Sequence, residues 1–141
     1  MSDEPIPLAR PAIGPREEEL VLQVLRSRHL SLGPRLADFE GALAARVGVE
    51  HVSAVSSGTA GLHLALRAAG IEEGDDVVTT PFSFVASANA ILYERARPVF
   101  CDIDRRTLNL DPAAVAAAVT ERTTGILPVH IFGYPADMPA L

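Results

Sequence analysis

The sequence predicts an α/β fold, a mostly parallel sheet in a three-layer α/β/α arrangement, preceded by an N-terminal helical arm. Three observations point there. Short apolar runs recur at 52–55, 77–80, 99–101 and 126–129. Segments of helical character separate them, at 59–69, 84–93 and 112–119. The apolar runs are continuous rather than alternating, as in strands covered on both faces. Their repeat of roughly 22–28 residues is that of successive βα units. The chain divides on this reading into an arm with helices, 1–48, and a sheet-bearing part, 49–141.

The elements follow in order. Pro5, Ile6, Pro7 and Pro11, with Gly14-Pro15, read as an extended arm. From Arg16 to Arg28 the apolar residues Leu20, Val21, Val24 and Leu25 fall on one helical stripe. Glu17, Glu18 and Glu19 suit the positive end of that helix's dipole. Ser31-Leu32-Gly33-Pro34 breaks the chain. Leu36, Phe39, Leu43 and Val47 then resume helical spacing, with Gly48 placed to terminate the helix. Gly70 and Gly74-Asp75 punctuate the approach to the Val77 strand. Asp111-Pro112 is a helix start, Asp as N-cap and Pro at the first helical position.

Composition excludes several functions. The chain has 141 residues, 48 % hydrophobic and 21 % charged, enough for one domain with a core. Its net charge of −6 argues against a nucleic-acid partner, which needs a basic surface. No apolar run approaches the ~20 residues of a membrane helix, and the acidic start Met1-Ser2-Asp3-Glu4 lacks the apolar core of a signal peptide. With a single cysteine, Cys101, no intrachain disulfide forms, and a cytoplasmic location is the expectation. All 12 basic residues are arginine. Without lysine there is no P-loop and no side-chain Schiff base within these residues. The dinucleotide fingerprint G-x-G-x-x-G and the nucleophile elbow G-x-S-x-G are both missing, and no metal-ligand spacing is present.

Three segments lie where strands end. Ser56-Ser57-Gly58-Thr59-Ala60-Gly61 joins the expected strand at 52–55 to a helix. Small residues there let backbone N–H groups approach an anion, and the helix N-terminus adds about half a positive charge. The same small residues also serve close packing alone. Thr80-Pro81-Phe82-Ser83-Phe84 follows the Val77 strand, and by residue type Phe82 and Phe84 read as core. His130 lies just past the 126–129 strand, where an imidazole can donate to a ligand or make a structural hydrogen bond. His63 and Arg67, four apart and opposite an apolar stripe, read as a polar helix face. Asp102 and Asp104, with Arg105 and Arg106, read as a solvated turn.

Taken together, ordered blocks across nearly the whole chain resemble the DegT/DnrJ/StrS-type sugar aminotransferases. These are Leu30-Ser31-Leu32-Gly33-Pro34, Ser56 to Leu66, Gly74 to Val77, Thr80 to Ser87, Pro98 to Asp104, and Pro128 to Asp137. The resemblance implies the fold of the pyridoxal 5′-phosphate (PLP) transferases. It implies that the backbone at Gly58, Thr59 and Ala60, the Thr59 hydroxyl and Ser57 hold the PLP phosphate. Phe84 would stack on the pyridine ring, Phe82 would remain core, and Ser87 and His130 would stand behind the site. The implied activity is amino transfer, from glutamate, to a nucleotide-linked keto sugar, in a homodimer with active sites at the interface.

Two parts of that machinery have no counterpart in these residues: the aspartate that pairs with the pyridine nitrogen and the Schiff-base lysine. The expectation is a truncated chain, ending before both, inactive by itself and with an unfinished sheet edge. A PLP-dependent sugar dehydratase of the same family and a non-catalytic remnant are the alternatives.

Overall fold

In a computed structural model, residues 7 and 9–141 are described. The expected extended stretch at Pro5-Ile6 lies outside them. The chain forms two compact units, one reaching to Ala54 and one running from Val55 to Leu141.

The first unit carries two helices. Helix α1, Pro15–Ser27, starts with Pro at its first position, where the missing N–H costs nothing. The Glu17 carboxylate accepts the Gly14 N–H at 2.7 Å. That bond is the main cause holding the Glu17 carboxyl below its usual range. Helix α2, Pro34–Val47, ends at Gly48, whose φ of 75° is the left-handed conformation glycine adopts freely. Its start demands a glycine for another reason: a Cβ at Gly33 would lie 2.9 Å from the His29 carbonyl oxygen.

The second unit contains helix α3, Gly58–Ala68, and strand β1, Asp76–Thr79. Helix α4, Ala86–Tyr93, leads to strand β2, Arg97–Phe100. Helix α5, Pro112–Ala118, leads to strand β3, Thr123–Leu127. The sheet is wholly parallel, in the order β2-β1-β3, with Val78 opposite Val99 on one side and Ile126 on the other. Neighbouring residues of the central strand point to opposite faces. Val77 packs with Leu66, Ala90 and Ile91 of α3 and α4. Val78 packs with Cys101, Leu110 and Val115 on the α5 side. The connection through α4 steps from β1 to β2, and the connection through α5 steps back past β1 to β3. Right-handed crossovers in opposite directions put their helices on opposite faces. The three-layer parallel arrangement expected from the sequence is therefore present. Val77, Val78 and Ile91 are fully buried, each worth ~1.5–3 kcal/mol against exposure. Burial also pushes the Cys101 thiol up from its usual range.

One expected strand is not there. Residues 52–55 enter no ladder. A strand needs a neighbour to take its N–H and C=O groups, and these residues have none in the sheet. The Ala54 N–H bonds instead to the Glu40 carboxylate, at 2.8 Å. The helix expected from 84 begins two residues later, because residues 81–85 form a turn in which the Ser83 N–H reaches the Pro81 carbonyl.

Candidate functional site

Helix α3 begins at a side-chain cap. The Ser57 hydroxyl accepts the Ala60 N–H at 3.1 Å. The Gly61 N–H bonds the Ser57 carbonyl at 3.0 Å. The N–H groups of Gly58 and Thr59 and the Thr59 hydroxyl have no partner among the described residues. The first turn carries no acidic residue, so the positive end of the helix dipole is uncompensated. A Cβ built on Gly58 meets nothing within 4 Å. The turn is thus open and donor-rich. The Ala60 N–H, expected as a direct donor, is taken by Ser57, whose hydroxyl keeps its own proton to donate.

Helices α3 and α4 lie on the same face of the sheet, and their C-terminal ends meet. The buried Glu94 carboxylate, just past α4, receives Arg67 Nη1 at 2.9 Å. Its Oε1 lies 2.8 Å from His63 Nε2, poorly aligned for a hydrogen bond. The His63–Arg67 face, polar as expected, also grips a buried carboxylate. With C-terminal ends together and the helices packed side by side, both N-terminal ends point to the carboxyl edge of the sheet.

The turn after β1 is at that edge. Thr80 is buried, and its Oγ1 accepts the Phe82 N–H at 3.0 Å. The Phe84 ring is 77 % exposed, which leaves a face free for a planar partner. Ser87 is buried, and its hydroxyl pairs with Ser83 at 2.9 Å, tying the turn to the first turn of α4. Phe82 does not join the core as expected. It is 42 % exposed and meets the Phe132 ring edge-on, with centroids 6.4 Å apart.

The segment after β3 reaches the same edge. His130 is exposed, and its Nδ1 accepts the Ala136 N–H at 2.9 Å. An accepting Nδ1 carries no proton, so the neutral imidazole holds it on Nε2, which is a donor. Asn109, buried, was not singled out from the sequence. Its amide spans the turn: Oδ1 accepts the Ile131 N–H and Nδ2 donates to the Tyr134 carbonyl, both at 3.1 Å. Its partners lie 22 and 25 residues away, a separation no local pattern encodes. Asp102 and Asp104 do form a turn. Asp104 accepts the Thr107 and Arg106 N–H groups, and those bonds hold its carboxyl below the usual range.

A family model described as the DegT/DnrJ/EryC1/StrS aminotransferase family matches residues 11–141. The chain belongs to that family. The spore coat polysaccharide biosynthesis protein SpsC of Bacillus subtilis is 48 % identical over 136 residues, 96 % of this chain and 35 % of its own length. An aminotransferase from Psychrobacter cryohalolentis superposes with a TM-score of 0.88 at 35 % identity, over 95 % of this chain and 35 % of that one. NtdA from Bacillus subtilis, solved with bound pyridoxamine phosphate (PMP), gives 0.83 at 35 % identity, over 91 % and 30 %. This DegT-family chain thus spans about a third of the length of the relatives it matches. The likeness shows the fold as part of the PLP-transferase type. Among the described residues no helix is long and apolar enough to cross a membrane.

Proposed function

We propose that this chain supplies the cofactor-phosphate turn and one ring-contact face of a PLP-dependent sugar aminotransferase. The enzyme would pass an amino group from glutamate to a nucleotide-linked keto sugar. The observation that carries the reading is the first turn of α3, with two free backbone donors, an unpaired hydroxyl and an uncompensated dipole.

The residues present fit the cofactor. A phosphate dianion suits the Gly58 and Thr59 N–H groups and the Thr59 hydroxyl. Ser57 holds that turn in shape through Ala60. Phe84 offers its ring face, Ser87 anchors the turn that carries it, and His130 offers an Nε2–H at the same edge. When bound, PLP supplies a pyridine ring that accepts electrons from the carbon bearing the amino group. The 141 residues bring no side-chain amine, since lysine is absent. On this reading the lysine, and by the family resemblance the aspartate that faces the pyridine nitrogen, come from polypeptide outside them, and the segment by itself is inactive. We further propose that the enzyme works as a cytoplasmic homodimer, with residues 1–48 forming the arm and 49–141 part of the cofactor domain.

The test is amino transfer from glutamate to nucleotide-linked keto sugars, followed chromatographically. The intact protein with PLP should form the amino sugar, and the 141-residue chain should form none. Turnover by the 141-residue chain alone would contradict the division of labour proposed here.

A further inference from the structure

Phe132 has a backbone that its side chain does not favour. It sits at φ 52°, ψ 22° inside a short 3₁₀ turn, Ile131–Gly133. A bulky residue adopts this left-handed conformation only when its surroundings over-determine it, and such strain concentrates at functional sites. The surroundings do so here. Asn109 bonds both ends of the turn, His130 Nδ1 fixes the Ala136 N–H, and the Gly133 and Tyr134 N–H groups bond back to His130 and Ile131. Yet the ring so displayed is 85 % exposed. Burial does not explain the strain. The Phe132 ring meets Phe82 edge-on instead.

The topology gives that contact a meaning. The chain leaves β1 for α4 on one face of the sheet. It leaves the adjacent β3 toward Leu141, which packs on the opposite face. Parallel strands whose chains depart to opposite faces open a crevice at their carboxyl ends, where ligands bind in such sheets. Phe82 and Phe132 meet across it. Phe82 belongs to the turn that carries Phe84, and Ser83 and Ser87 lock that turn onto α4.

We infer that Phe132 is a positioning residue: its strained turn, built on Asn109, holds an edge-on aromatic contact with Phe82 and so fixes the turn that presents Phe84. The cofactor part of this inference rests on the proposed function. The positioning part does not.

Two variants of the intact protein separate this from a merely structural role. Phe132→Gly removes the ring and the strain together, so the thermal midpoint should hold or rise. Amide hydrogen exchange across residues 82–87, read without cofactor, should nonetheless speed up about tenfold, a change that local loosening produces. The affinity for PLP should fall several-fold. Phe132→Tyr, which keeps the ring, should restore both. Exchange at 82–87 unchanged in Phe132→Gly would overturn the inference. So would faster exchange with PLP affinity unaltered. A wild-type protein that binds no PLP would remove the cofactor reading, and exchange would still decide the positioning. A change in oligomeric state in Phe132→Gly, with exchange unaltered, would assign Phe132 to a subunit contact instead.

Discussion

The carboxylate of Asp76 takes two hydrogen bonds from the Arg97 guanidinium, at 2.7 Å and 2.5 Å. Arg122 stands 3.5 Å from the same carboxylate. Asp76 is buried at the amino end of β1, Arg97 opens β2, and Arg122 immediately precedes β3. One carboxylate thus ties the three strands at the edge opposite the candidate site. Arg97, through that hydrogen bond first and its charge next, holds the Asp76 carboxyl below its usual range, and Arg122 adds to the effect. The Arg97 guanidinium is raised correspondingly.

A depressed carboxyl contributes stability that is present above its unfolded value, about 3.9, and is lost as pH falls through the folded value. Urea unfolding between pH 5 and pH 2 should therefore show wild type losing its advantage over Asp76→Asn on acidification. At neutral pH, Asp76→Asn should cost more than Arg95→Gln, which breaks only the exposed Arg95–Glu73 pair.

Glu94 gives an asymmetric prediction. Its side chain is 4 % exposed, whereas those of His63 and Arg67 are 39 % and 73 % exposed. Removing both side chains strands a buried carboxylate without its arginine, at ~3–5 kcal/mol. Glu94→Gln leaves behind an arginine and an imidazole that water can solvate. Chemical unfolding should rank the His63→Ala/Arg67→Ala pair well below Glu94→Gln.

Gly125 sits at a close approach. A Cβ there would come within 3.1 Å of Ile71 Cδ1 and 3.8 Å of Val77 Cγ1. Gly125→Ala should destabilise the protein by about 1–3 kcal/mol through overpacking, measured by thermal unfolding. Pairing it with Ile71→Val should recover part of that loss.

Ser57 separates capping from ligand binding. Ser57→Ala removes the cap on Ala60, for ~1 kcal/mol of stability. It also frees the Ala60 N–H as a third donor in the turn. Titration with PLP should therefore show affinity held within about twofold despite the lower thermal midpoint, since the anion replaces the cap it lost.

Much of this architecture was legible in the residues. Continuous apolar runs and capping pairs such as Asp111-Pro112 are local signals, and the Asp111 carboxylate does accept the Ala113 N–H at 2.9 Å. What failed was non-local. Residues 52–55 carry the same apolar signal as β1, but a strand also needs a partner. Phe82 read as core by residue type, yet its neighbour Phe132 lies 50 positions on. The burial of Glu94 depends on His63 and Arg67, a whole βα unit earlier. The donor turn at 57–60 was visible as composition. That the Ser57 hydroxyl takes the Ala60 N–H, while those of Gly58 and Thr59 have no partner among the described residues, depends on the geometry of the turn.

On the function proposed above, the first turn of α3 holds the cofactor by its phosphate. The direct measurement is equilibrium binding of PLP and of dephosphorylated pyridoxal to the intact protein, for wild type and Thr59→Val. Thr59→Val should weaken PLP binding about tenfold, as expected for a lost hydrogen bond to a charged group, and leave pyridoxal binding unchanged. Equal loss for both ligands, or no loss for PLP, would contradict it.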